Sequence, residues 1–140
     1  MQCETACELC TQLGGTLLWQ DDRCRVVLVE DADYPGFCRV IWKQHVREMT
    51  DLSAADRERL MATVYAVETA IRETMGPDKI NLASLGNLTP HLHWHVIPRY
   101  RHDKHYPQPI WGTAQREGRS PHPPDWQMRL KQSVRSRLPG

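Results

Sequence analysis

The sequence predicts an α+β domain: an antiparallel five-stranded sheet with one long helix packed on it and an additional helix near the C-terminus. Three observations predict it. Five short apolar, β-rich runs are bounded by turn residues. One stretch, residues 53–75, has helical periodicity with caps at both ends. The order β-β-β-α-β-β gives an antiparallel sheet with the helix on one face.

Residues 1–15 read as an irregular or single-turn lead-in ending at Gly14-Gly15. Thr16–Gln20 and Cys24–Val29 are strands joined by the turn residues Asp21-Asp22. Glu30-Asp31-Ala32-Asp33 is an acidic loop, and a solvated turn is its ordinary reading. Tyr34-Pro35-Gly36 turns into a strand from Phe37 to Trp42. Ser53-Ala-Ala-Asp56 resembles a capping box with Asp in the Glu/Gln slot. The helix it opens runs to Met75 and stops at Gly76-Pro77. Leu60, Val64, Val67 and Ile71 put one apolar face toward a sheet. Lys79–Ser84 is the fourth strand, residues 85–90 a loop, and His91–Ile97 the fifth strand, which Pro98 should end.

Past Arg99 the chain turns basic and proline-rich. Residues 1–112 read as the domain and residues 113–140 as a Pro/Arg-rich extension. Within the extension Trp126, Leu130 and Val134 recur at i+4, so a short helix is expected over 125–138. It could cover the sheet or a partner subunit, or form a basic lip near an anionic substrate.

The net charge of +1 gives no global electrostatic case for nucleic acid or a membrane surface. No apolar run approaches a membrane span of about 18 residues. The stretch MQCETACELC lacks a basic and an apolar region, so no secretory signal and a cytoplasmic protein are expected. Five cysteines, an odd number, argue against a disulfide framework. Cys7-Glu-Leu-Cys10 is a C-x-x-C, compatible with half a zinc site, a redox pair or coincidence. Cys3, Cys24 and Cys38 read as plain thiols.

The chemistry concentrates in His91-Leu92-His93-Trp94-His95-Val96-Ile97. On a strand, alternation puts His91, His93 and His95 on one face and Leu92, Trp94 and Val96 in the core. A helix would scatter the imidazoles over most of its circumference. Imidazole can be nucleophile, acid, base or metal ligand near neutral pH. The alternatives are a merely polar strand face and a metal cluster.

This stretch fits the His-φ-His-φ-His-φ-φ signature of the histidine-triad (HIT) superfamily of nucleotidyl hydrolases and transferases, and the chain resembles that family from about Cys7 to Trp111. The trailing Pro98-Arg99 is similar to its bacterial, diadenosine-polyphosphate-hydrolase-like branch. The resemblance implies that His93 attacks the α-phosphorus of a nucleotide, a dinucleoside polyphosphate or a nucleoside phosphoramidate. A phosphohistidine forms, with His95 beside the leaving group. It implies phosphate contacts from His91, Gly86, Asn87 and Thr89, a leaving-phosphate contact from Asn81, and a ribose contact from an acidic residue such as Asp31. It also implies a homodimer and a nucleotide partner, with no catalytic metal. Phe37 departs from the pattern, because many members place a fourth histidine there.

Some bacterial members hold structural zinc with residues matching Cys7, Cys10, His45 and His91, a set suited to a closed tetrahedral site. Two rival readings stand beside the enzyme: a nucleotide- or zinc-binding regulatory module with little turnover, and a hydrolase using the three triad histidines as metal ligands.

Overall fold

The structure, a computed structural model, describes residues 6–140; Cys3 lies outside them. Five strands, β1 (Thr16–Gln20), β2 (Cys24–Leu28), β3 (Cys38–Trp42), β4 (Lys79–Ala83) and β5 (His93–Arg99), form one sheet in the order β1-β2-β3-β5-β4. Every pairing is antiparallel. One helical turn, α1 (Glu8–Thr11), precedes β1. The long helix α2 (Ala54–Met75) crosses from β3 to β4, and α3 (Trp126–Arg137) closes the chain.

α2 begins and ends where its caps dictate. The Ser53 hydroxyl accepts from the Asp56 backbone N–H, and Gly76 takes the left-handed conformation at φ 61°. Only half of the expected capping box forms, because the Asp56 carboxylate turns to Arg23 at 3.0 Å. Leu60, Val64, Val67 and Ile71 are fully buried, as their spacing predicts. They pack on Cys24, Val26, Val40, Trp42 and Val96, the face of the sheet opposite His93 and His95. A bulge between Leu17 and Trp19 lets two consecutive residues, Leu18 and Trp19, reach this core.

α3 docks on α2 and β1. Leu130 and Val134 are fully buried in the same core as α2. The Arg135 Nε bonds the Leu18 carbonyl at 3.0 Å, and the Trp19 indole N–H reaches the Pro139 carbonyl at 2.8 Å. The helix is thus part of this chain's own core and covers the sheet.

Two sequence expectations change. The fifth strand begins at His93 rather than His91 and runs through Pro98 to Arg99. Pro98 is tolerated because the pairing with β3 stops at Val96, so Pro98 faces only Ile80 of β4 in the ladder. His91 sits in the preceding bend, where its N–H bonds the Thr89 carbonyl at 2.8 Å. A short 3-10 turn at Met49–Asp51 was not legible in the pattern.

Candidate active site and metal centre

Alternation along β5 sends Trp94 and Val96 toward α2 and leaves His93, His95 and Arg99 on the open face. His93 is 7% exposed and His95 6%. Their rings meet edge to face with centroids 4.9 Å apart. The His93 Nδ1 lies 2.6 Å from the His91 carbonyl oxygen. A carbonyl only accepts, so Nδ1 carries the proton and Nε2 keeps its lone pair. Burial lowers the His93 pKa; the bond to the His91 carbonyl opposes this, and the Arg39 charge adds to it. Burial, then the His93 ring and Arg39, pushes His95 down to about 4. Both rings are neutral in the free protein near pH 7.

His95 is walled by apolar rings. Phe37, where a fourth imidazole is common in the resembling family, is 4% exposed with its ring 5.6 Å from His95. Trp111 lies 5.0 Å from His95 on the other hand and stays 51% exposed. A cavity of about 310 Å³ opens beside His93, lined by Arg47, Thr50, Ser84, Leu85 and Gly86. Gly86 has φ 73°, a conformation that side chains disfavour. The Ser84 hydroxyl donates to the His93 carbonyl at 2.7 Å and ties this loop to β5.

His91 is fully buried and points elsewhere. Its Nε2–H donates to the Trp42 carbonyl at 2.6 Å, which leaves Nδ1 bare. That atom is 3.3 Å from Cys7 Sγ, 3.5 Å from Cys10 Sγ and 3.3 Å from His45 Nδ1. Cys10 Sγ and His45 Nδ1 are 3.5 Å apart, and all four donor atoms lie within 4.8 Å of one another. A tetrahedral zinc with these ligands needs edges of about 3.3 Å between nitrogens and about 3.5 Å between nitrogen and sulfur. The four residues fit such an ion, and the Trp42 carbonyl is the outer partner that orients a ligating imidazole. Since both ring nitrogens of His91 are committed here, the three triad rings do not converge on one metal. This removes the geometric basis of the triad-ligated hydrolase.

The other predicted residues are dispersed. Asn81 shares the open face, but its carbonyl oxygen accepts from Arg99 Nη1 at 2.7 Å. Asn87 is exposed and Thr89 half-buried in the loop after Gly86. The Asp31 carboxylate accepts from the Asp33 backbone N–H at 2.9 Å, closing its own turn.

Three arginines escaped the sequence reading. Arg25 is 8% exposed and donates to the carbonyls of Leu9, Gln12 and Leu13, holding the segment that carries Cys7 and Cys10. Arg99 and the fully buried Asp103 form a two-point ion pair at 2.8 and 3.1 Å. Arg99 also bonds the Gln108 carbonyl at 2.7 Å, which fixes the loop leading to Trp111. Arg39 faces His95 across the β3–β5 register. The alternation of Cys38-Arg39-Val40 would have placed it on the open face, but not beside His95.

The chain belongs to the HIT family: the HIT domain matches residues 11–102. It is similar to a histidine triad protein from Bradyrhizobium japonicum, at 28% identity over 89% of this chain and 91% of that one, with a TM-score of 0.72. A histidine triad protein from Marinobacter aquaeolei is also 28% identical, over 96% and 95% of the two chains, with a TM-score of 0.73. A Zn-bound histidine triad family protein from Mycobacterium smegmatis shares the fold, at 20% identity over 94% of each chain and a TM-score of 0.68. No curated protein matches the chain. Among the described residues no helix is long and apolar enough to cross a membrane.

Proposed function

We propose that this protein is a nucleotidyl hydrolase or transferase that cleaves at the α-phosphorus of a dinucleoside polyphosphate or a nucleoside phosphoramidate. The observation that carries the reading is the His93 tautomer. Its Nδ1–H is held by the His91 carbonyl, so Nε2 is the nucleophilic atom. Nε2 forms a bond to phosphorus as the bond to the leaving oxygen or nitrogen breaks. His95 supplies that atom with a hydrogen bond or a proton, and the incoming phosphate charge raises the proton affinity that burial had lowered. Water then displaces His93, releasing the nucleoside monophosphate and returning a proton to the site. This route calls for no catalytic metal.

Gly86, Asn87 and Thr89 form the loop beside His93 and are read as phosphate contacts, with Asn81 toward the leaving group. Asp31 is read as the ribose carboxylate. His91 serves through its carbonyl. Zinc, held by Cys7, Cys10, His45 and His91, would be structural, since a four-ligand protein set leaves no open position. The open edge of β4, with Leu85 55% and Leu88 97% exposed next to it, suits a homodimer, as is common in the family. The cytoplasm is the compartment in which free cysteines of this kind persist.

The test is turnover of adenosine 5′-phosphoramidate and of diadenosine polyphosphates by wild type and His93→Ala, with and without a strong chelator during the assay. Turnover that survives brief chelation and disappears in the variant supports the covalent route. Nucleotide binding without turnover of either class overturns it in favour of a regulatory module.

A further inference from the structure

The mechanism above places two neutral imidazoles at the reaction centre, yet a phosphate diester or amidate arrives negatively charged. Phe37 supplies no charge where many relatives have a histidine. Arg39, two residues further along β3, lies on the same face and directly opposite His95 in the register. Cross-strand partners of this kind hold their Cβ atoms about 4.5–5.5 Å apart. The guanidinium is anchored at one corner only: Nη1 donates to the Gly14 carbonyl at 3.0 Å. Its Nε is buried with no hydrogen-bond partner, and no described residue accepts from Nη2. Glu8 acts on it at a distance without an ion pair. Across the register the His95 Nδ1 is also buried and unpartnered.

The buried Arg39 Nε is an unsatisfied donor, and such a group in a native site calls for a missing partner. Nε and Nη2 form one edge of the guanidinium, and that edge matches two oxygens of a phosphate. An anion with paired oxygens would satisfy Nε and engage Nη2 beside it. Resting on the nucleotide reading of the triad, we propose that Arg39 is a phosphate-binding residue of this site, its Nε–Nη2 edge taking two non-bridging oxygens of the substrate. The permanent charge at residue 39 stands in for the imidazole that residue 37 does not provide. Unlike that imidazole, it does not depend on pH.

The experiment is calorimetric titration of the full chain, with its metal, with AMP and GMP and with the parent nucleosides. Wild type, Arg39→Ala and Arg39→Lys are compared, each checked for an unchanged far-UV circular dichroism spectrum. Removing the guanidinium should weaken nucleotide binding ~10- to 100-fold, the size of a lost charge-assisted contact. Nucleoside affinity should stay within about twofold, because the nucleoside has no phosphate for Arg39 to hold. Arg39→Lys keeps the charge without the fork and should fall between. A purely structural role would lower nucleoside and nucleotide affinity together, and that result overturns the proposal. So does Arg39→Ala binding AMP and GMP as wild type does. If wild type binds neither nucleotide, the nucleotide reading itself fails and this inference falls with it.

Discussion

The ring of His93 is hydrogen-bonded at 2.6 Å to the backbone carbonyl of His91, whose own ring belongs to the Cys7–Cys10–His45 cluster. The orientation of the candidate nucleophile therefore depends on a residue that a metal would hold in place. The cluster and the His93–His95 face are two ends of one short stretch of backbone.

Replacing His93 with Ala should lower kcat/KM by ~10³-fold or more, as loss of a nucleophile does. Rapid-quench experiments with labelled substrate should trap a phosphorylated chain in wild type and none in the variant. A variant that keeps more than a tenth of wild-type turnover would falsify the assignment.

Metal content should be one zinc per chain by plasma mass spectrometry. Stripping it under denaturing chelation should lower Tm by about 5 °C or more, since a structural site contributes directly to folding. Cys10→Ser should reproduce the loss. Turnover should fall with it, because the His91 carbonyl loses its support. A chain that carries no zinc yet melts at the same temperature with and without chelator argues against the centre.

Asp103→Asn should destabilise the chain strongly. Burial alone would raise the Asp103 pKa, but Arg99 and the Tyr100 and Tyr106 backbone N–H groups hold it below the ordinary carboxylate range. The change leaves the 2%-exposed Arg99 cation facing a neutral amide. Removing one partner of a buried pair costs about 3–5 kcal/mol, measurable by urea unfolding. A loss under about 1 kcal/mol would mean that the pair is solvated in solution.

Stability should fall on acidification. His95, facing His93, Arg39, Phe37 and Trp111, has a folded pKa of about 4, below the ordinary 6.5. Between these values the unfolded chain binds the extra proton. Its contribution is therefore complete above pH ~6.5 and is lost as pH falls toward 4, by about 3 kcal/mol. Urea melts from pH 7 to 4.5 should show the slope, and His95→Asn should flatten it. An identical slope in both proteins would assign the effect to other groups.

Leu130→Ala on α3 should cost about 2–5 kcal/mol, the range for emptying a buried leucine site. Val134 and Leu130 share the core with α2, so the loss should appear in the single unfolding transition of the whole chain. A loss confined to a separate minor transition would make α3 an independent appendage.

What was legible in the sequence was local. Period-two alternation placed His93 and His95 on one face, the caps at Ser53 and Gly76 bounded α2, and the i+4 leucine and valine located both helices' buried sides. The Cys7, Cys10, His45 and His91 donor set was named from the family resemblance, and the fold brings its four donor atoms together. The three-imidazole face was overdrawn at His91, because the bend before β5 is set by contacts with Thr89, Val46 and Trp42 that alternation does not encode. Which carbonyls fix the His91 and His93 rings, that Arg39 stands opposite His95, and that Arg99 and Asp103 form a buried charge pair were decided only by tertiary structure. Those relationships depend on strand register and on loops folding back across the sheet. They join residues whose separation along the chain says nothing about their distance in space.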